Sequence, residues 1–385
     1  MPDRQPALSA RFKYPLTLLL FPVLSACGLS EPLQAPPPLL PLAKEALGKQ
    51  LFHDEQLSEP AGQSCASCHN AKTGFADRGL RVSPGADPTR YGNRNAPTIA
   101  YSHLAPDWHY NAEDGTWIGG FFLDGRASSL KEQAKGPLFN PLEMNNSSVT
   151  ALRDKLRTRP YAQEIERLYG GAIWDQPERA LDAIADALAA FEASSEVNPF
   201  SSKYDAYLRG ETELSAIEKK GLQLFDAEDK GNCAACHPSQ PGAGGQPPLF
   251  TDFSYDNLGT PVPVGFPFHA VTVFNPEGGL RRDQGLADNP RIQTDERGKF
   301  KVPTLRNSAL TGPYMHNGIF ADLEEVVAFY NKRDSSDRWG APEVEANVNS
   351  EELGNLKLTA AEERALVAFL QTLSDGWSST DPLVR

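Results

Sequence analysis

The chain has 385 residues, with 37 basic against 50 acidic side chains and a formal charge of −13. An acidic excess of this size excludes nucleic acid and other polyanions as natural partners, and the length suits two domains of ordinary size. Five cysteines are few enough that their spacing, rather than their number, has to be explained.

Arg4, Arg11 and Lys13 precede the apolar run Leu16 to Leu24, so residues 1–26 read as a secretory signal peptide. That run is too short to span a bilayer. The ending Leu24-Ser25-Ala26-Cys27 resembles a bacterial lipobox, which would make Cys27 a lipidated first residue and attach the protein to a membrane. Ordinary cleavage nearby, with Cys27 incidental, is the alternative. In both cases the mature protein is expected in the periplasm. Cleavage leaves 34 basic against 49 acidic residues, or −15. Residues 27–41 are Pro-rich and read as a semi-rigid spacer.

Next comes Leu47-Gly48-Lys49-Gln50-Leu51-Phe52, then Cys65-Ala66-Ser67-Cys68-His69. Lys220-Gly221-Leu222-Gln223-Leu224-Phe225 and Cys233-Ala234-Ala235-Cys236-His237 repeat that order. Each Cys-x-x-Cys-His reads as a covalent haem c site, because two thiols add across the two vinyl groups of one porphyrin and the adjacent imidazole binds the iron. A structural zinc site does not need the following His. His69 and His237 are the expected axial ligands, and four of the five cysteines are consumed. The recurrence of helix, Gly-x-x-Leu-Phe, loop and haem motif predicts a duplicated cytochrome c unit, with an N-terminal domain over 42–205 and a C-terminal domain over 206–385. Leu181, Ile184, Ala185, Leu188 and Phe191 have helical spacing within 177–193, and Ser215 with Glu218 and Thr359 with Glu362 fit capping boxes. The Gly/Pro-rich stretch from Pro238 to Pro267 reads as loop. The expected fold is mainly α, with two cytochrome c-like haem domains and long loops.

Asn95-Ala96-Pro97-Thr98, Leu123-Asp124-Gly125-Arg126-Ala127, Glu132-Gln133-Ala134-Lys135-Gly136-Pro137, Val302-Pro303-Thr304-Leu305-Arg306-Asn307 and Pro313-Tyr314-Met315-His316-Asn317-Gly318 occur in order around the two haem motifs. Together they resemble the bacterial di-haem cytochrome c peroxidase and MauG superfamily. The resemblance implies that the N-terminal haem meets hydrogen peroxide and the C-terminal haem handles electrons. It places the distal residues at Gln133 and Glu143. A carboxylate there takes a proton from the first peroxide oxygen and delivers it to the departing one, although Glu143 read alone is a solvated acid. No His occurs between Asn70 and Ser102 to close the other face of the first haem, which implies an open pocket in the resting oxidised state.

The family's peroxidases place a Met ligand fourteen residues after the His of the Pro-Tyr-x-His segment, and counting from His316 reaches Tyr330. A phenolate favours ferric and higher states, whereas a thioether favours ferrous iron. Met144 and Met315, the methionines beyond the leader, lie elsewhere. The plainer reading makes Tyr330 part of the apolar helix face Leu323, Val326, Val327, Tyr330. His/Tyr ligation is the MauG pattern, in which peroxide produces a high-valent state shared by the haems and a partner protein is oxidised at a distance. Leu123 stands where the family usually has a Trp between the haems, leaving Phe121, Phe122, Trp117 or direct tunnelling to couple them. Trp108, Trp174, Trp339 and Trp377 are candidate exits for a hole.

The family also implies a calcium ion held by Asn95 and the carbonyls of Thr311 and Pro313, a propionate or loop contact for His316, and propionate pairing for Arg126 and Arg306. Three functions follow from these residues. The first is a peroxide-dependent oxidase of a partner protein, akin to MauG or to the MbnH-type enzymes that oxidise Trp of a copper-binding partner. The second is a peroxidase fed by a small cytochrome or cupredoxin, and the third is an electron carrier without peroxide chemistry.

Overall fold

Helices carry most of the regular structure in the computed structural model, which describes residues 40–77 and 79–379. The leader, Cys27 and nearly all of the spacer lie outside the described residues. In chain order the helices are α1 (Leu40–Phe52), α2 (Cys65–Cys68), α3 (Leu130–Phe139), α4 (Val149–Arg157), α5 (Ala162–Tyr169), α6 (Pro177–Glu192), α7 (Lys203–Leu208), α8 (Ala216–Asp226), α9 (Leu323–Lys332) and α10 (Ala360–Gln371). The strands are short: β1 (His109–Asn111) pairs antiparallel with β2 (Thr116–Ile118), and β3 (Tyr255–Asp256) pairs antiparallel with β4 (Phe300–Lys301). None of the described helices is long and apolar enough to cross a membrane.

The predicted helix over 177–193 is α6, begun by Pro177 in its first turn. Both predicted capping boxes are present: Ser215 accepts from Glu218 N at the start of α8, and Thr359 accepts from Glu362 N at the start of α10. The stretch 238–267 holds only β3 and short single turns of helix, as the Gly/Pro content predicts.

The repeated Gly-x-x-Leu-Phe has a packing reason. Helix α1 lies against α6, and a Cβ at Gly48 would run into the Ala187 carbonyl oxygen. Helix α8 lies against α10, where a Cβ at Gly221 would run into the Ala365 carbonyl oxygen. Each glycine therefore permits one close helix crossing. The Leu and Phe that follow, Leu51 and Phe52 or Leu224 and Phe225, are buried beside it. Two apolar clusters result. One gathers residues from Leu47 to Val197 and the other from Tyr204 to Leu373, within one compact unit.

Candidate haem sites

Each Cys-x-x-Cys-His folds into a turn that returns the His amide to the first Cys carbonyl. His69 N donates to Cys65 O and His237 N to Cys233 O, both at 2.9 Å. The two imidazoles are then oriented alike. His69 Nδ1 meets Phe75 O at 3.1 Å and His237 Nδ1 meets Phe250 O at 2.7 Å, which makes Nδ1 the protonated nitrogen and leaves Nε2 for a metal. Burial depresses both imidazole pKa values, so the neutral, ligating form is favoured.

The carbonyls that hold these rings belong to residues in left-handed backbone, Phe75 at φ 59° and Phe250 at φ 53°. A non-glycine residue is uncommon there and must be held in place by its surroundings. The clamp is again shared. Thr98 Oγ1 donates to Gly74 O and Thr304 Oγ1 to Leu249 O, both at 2.6 Å, which fixes the residue before each Phe. The Pro-Thr pairs of Ala96-Pro97-Thr98 and Val302-Pro303-Thr304 are thus two copies of one device. The repeated dipeptide was the available signal in the sequence, although the reading above did not pair the two segments.

A cavity of about 250 Å³ adjoins the first motif. Cys65, Cys68 and His69 line it together with Gln133, Glu143, Leu123 and Arg126, and loops of the second half contribute Phe253 and Pro303. Ser129 caps α3 by accepting from Glu132 N, and Gln133 lies one turn before Pro137 on that helix, half-buried. The chain then turns so that Glu143 N donates to Asn140 O, while Asn140 Nδ2 donates to Glu143 Oε1 at 3.0 Å. Burial raises the Glu143 carboxyl pKa, and the Arg126 charge and the Asn140 bond pull the other way. Arg126 itself donates Nη1 to both carboxylate oxygens of Asp124 and lies 3.6 Å from the Phe122 ring centroid. Leu123 puts an aliphatic side chain on this cavity, and its carbonyl accepts from Lys301 N.

Two buried ionisable groups on this cavity were not singled out from the sequence. Glu192 is 5 % exposed, its Oε2 lacks a partner among the described residues, and burial pushes its carboxyl up to about 8. Its signal was an acid on the apolar face of α6, one turn after Leu188. Lys301 Nζ donates to Gly120 O at 2.8 Å, and burial brings its amine down to about 8. Burial likewise keeps the cysteines as thiols, raising Cys68 to about 11 and Cys233 and Cys236 to about 12. Half-buried paired thiols, each beside an imidazole whose Nδ1 is held by a main-chain carbonyl, fit two covalently held haems.

Tyr330 projects from α9 toward the second motif. Burial raises the pKa of its phenol strongly, Cys236 and Cys233 lie within electrostatic reach, and the hydroxyl makes no hydrogen bond among the described residues. The rest of its helix face behaves as core, with Leu323 and Val327 buried. Met144 is buried in the first apolar cluster, whereas Met315 packs in the same small cluster as Tyr330.

The remaining expected site residues make contacts within the protein. Arg306 is fully buried and donates Nη1 and Nη2 to Asp205 at 2.9 and 2.8 Å and Nε to Pro248 O. Its fork of donors grips that carboxylate beside the Tyr101 and Phe200 rings, an ion pair that ties α7 to the 302–307 segment. His316 stacks on Phe300 at 3.8 Å and bonds Glu343 at 2.9 Å through Nε2, a loop contact. Asn95 N donates to His316 O, and Asn95 Nδ2 donates to Leu80 O and Arg81 O. That arrangement leaves Asn95 Oδ1 without a hydrogen bond among the described residues, near the loop that carries Thr311 and Pro313. Among the described residues no three His, Cys, Asp or Glu side chains cluster for a metal, so a cation here would rest on amide and main-chain oxygens.

A family model described as di-haem cytochrome c peroxidase matches residues 42–213. The chain is 42 % identical over 352 residues to the methylamine utilization protein MauG of Paracoccus denitrificans, covering 86 % of this chain and 89 % of the relative. The chain belongs to the di-haem cytochrome c peroxidase and MauG family. As a member, it is a haem-dependent peroxidase or oxidase that uses two haems. It is also 33 % identical over 332 residues to the cytochrome c551 peroxidase of Nitrosomonas europaea, covering 85 % and 79 % of the two chains. Among solved structures it resembles the diheme peroxidase BthA of Burkholderia thailandensis, with a TM-score of 0.76, 35 % identity and 86 % of each chain covered. A MauG-like protein associated with microbial copper homeostasis aligns at a TM-score of 0.63 and 30 % identity over 91 % of this chain and 96 % of the other.

Proposed function

We propose that the protein is a periplasmic, MauG-type enzyme in which hydrogen peroxide oxidises a pair of covalently bound haems and a partner protein returns the electrons over a distance, with Trp of the partner as the residue oxidised. The observation that carries this reading is Tyr330, whose buried phenol lies within electrostatic reach of Cys233 and Cys236 and makes no hydrogen bond among the described residues. His237 and Tyr330 would hold one haem iron and His69 the other, and the haems supply the redox equivalents that peroxide removes. Ligation by phenolate favours the oxidised states such an enzyme needs, where a thioether would favour a ferrous electron acceptor.

The chain's own residues handle the protons. Glu143 takes the proton of the peroxide oxygen nearer the iron and delivers it to the departing oxygen, so that water leaves. Asn140 holds its carboxylate in place, Arg126 keeps the anionic form available, and Gln133 orients peroxide or water. The two cytochrome c-like domains meet at the first cavity through the loops bearing Phe253 and Pro303. Calcium at Asn95, Thr311 and Pro313 would brace that junction, and metal analysis of an Asn95→Leu variant tests it by loss of the bound ion.

EPR and optical spectra of the diferric protein before and after one equivalent of peroxide test the main reading. One high-spin and one low-spin His/Tyr haem, both losing their ferric signals, are expected. A protein inert to peroxide until reduced would instead place it with the peroxidases fed by a small donor, and two six-coordinate haems unchanged by peroxide would make it an electron carrier.

A further inference from the structure

The turn 119–126, which puts Leu123 on the first haem cavity, is backed on its outer side by four aromatic rings in sequence. Trp108 and Trp117 stack with centroids 4.8 Å apart and planes 15° apart. Trp117 faces Tyr110 across the β1/β2 hairpin, with centroids at 5.3 Å, and Trp108 meets Tyr255 edge-on at 5.6 Å. A Cβ at Gly120 or Gly125 would collide with the Trp108 indole, so both glycines admit the ring directly against the turn.

The inner end of this series lies where the two haem sites meet. Tyr255 is 3 % exposed and donates to Gly119 O at 2.7 Å. The five residues before it serve both sites: Phe250 O holds His237, Asp252 N donates to Cys236 O at 3.0 Å, and Phe253 lines the first cavity. The outer end, Tyr110, is 48 % exposed.

We infer that Tyr255, Trp108, Trp117 and Tyr110 form an electron route from the surface hairpin to the haem pair. This inference rests on the peroxide-dependent reading above. Peroxide takes two electrons from the haems and, with two protons, becomes two waters. Each electron is then replaced singly along the route. Tyr110 gives up one electron and releases its phenolic proton to water, becoming a neutral radical. A residue of the protein substrate meeting the hairpin restores it with one electron and one proton.

The direction of travel follows from the surroundings of each ring. The Tyr255 hydroxyl donates to a carbonyl, which is too weak a base to take its proton, so Tyr255 bridges without storing charge. Arg291 lies 4.7 Å over the Trp108 ring and its cation repels a positive hole there. Trp117 Nε1 is buried and, among the described residues, has no hydrogen-bond partner to which a proton can pass. Among the four, Tyr110 alone meets enough solvent to lose its proton, so the charge settles at the surface.

Tyr110→Phe and Trp117→Phe keep an aromatic ring in place while removing the oxidisable group, and Tyr207→Phe, on α7, serves as a variant off the route. The diferric holoprotein, without partner, receives one equivalent of hydrogen peroxide, and freeze-quench EPR is recorded alongside the return of the ferric optical signals. The parent and Tyr207→Phe should develop a tyrosyl radical that Tyr110→Phe lacks. Return of the ferric state should slow about tenfold in both route variants, equivalent to about 1.4 kcal/mol on the slowest step. If the ferric signals disappear on peroxide but the variants recover at the parental rate with the radical intact, the route is overturned and the functional reading stands. Ferric signals that never disappear overturn the functional reading, and the route with it.

Discussion

Replacing Glu143 by Gln isolates proton transfer from packing. The amide keeps an oxygen where Asn140 Nδ2 now donates at 3.0 Å and has nearly the volume of the acid, so the turn Asn140 to Glu143 is retained. What is lost is a group able to accept a proton. Positioned general acid–base catalysis contributes about 10²–10⁴-fold, so the reaction with peroxide should slow by that factor, or about 3–5 kcal/mol of barrier. Stopped-flow absorbance of the diferric protein at pH 7 reads this directly, with haem content measured in parallel. The pH profile supplies a second check. Burial raises the Glu143 pKa, and the ionised form is the base, so the parental rate should fall on acidification at a higher pH than an exposed carboxylate would give. The Gln variant should lose that inflection. A variant rate within about threefold of the parent, below the smallest contribution expected of such a group, would remove Glu143 from the chemistry.

Arg306→Leu leaves Asp205 buried at 2 % exposure without its cation, and should cost about 3–5 kcal/mol in thermal or denaturant unfolding, while the double variant Arg306→Leu with Asp205→Leu should recover much of it. Recovery of nothing would mean that the pair is incidental to the fold. Gly221→Ala pits a helix-propensity gain of about 1 kcal/mol against overpacking of about 1–3 kcal/mol, because its Cβ meets a backbone carbonyl that cannot rotate away. A lower Tm with unchanged haem content is expected, and a raised Tm would refute the close-crossing argument. Tyr330→Met should raise the potential of the second haem on the order of 100 mV and make peroxide reactivity depend on prior reduction, checked by potentiometric titration. An unchanged potential would make Tyr330 core packing after all.

Residue spacing made the haem motifs and the main helices legible, because covalent attachment fixes the Cys-x-x-Cys-His pattern and the buried faces of α6, α8 and α10 repeat at the helical period. The glycine repeat was visible as a pattern, but the two carbonyls it admits, at Ala187 and Ala365, belong to partner helices far along the chain. The Arg306 ion pair was hidden for a similar reason: its carboxylate partner lies 101 residues earlier, and nothing local announces it. The imidazole cradles escaped notice because their offsets differ. Phe75 follows its His by six residues and Phe250 by thirteen, so matching by position pairs the wrong residues. Strands of two or three residues, including the hairpin that carries Tyr110 and Trp117, are too short to show alternation.

Holding both imidazoles through main-chain oxygens has a consequence for how the two irons are differentiated. A carbonyl does not titrate, and no substitution at Phe75 or Phe250 deletes it, so the tautomer of each axial His is insulated from pH and from mutation alike. The same kind of uncharged acceptor stands behind both rings, at 3.1 Å for His69 and 2.7 Å for His237. In the proposed arrangement, the larger divergence between the irons would come from their opposite faces, from Tyr330 on one side and Glu143 with its neighbours on the other. Those are the positions at which selection, or an engineer, can retune one haem without disturbing its twin.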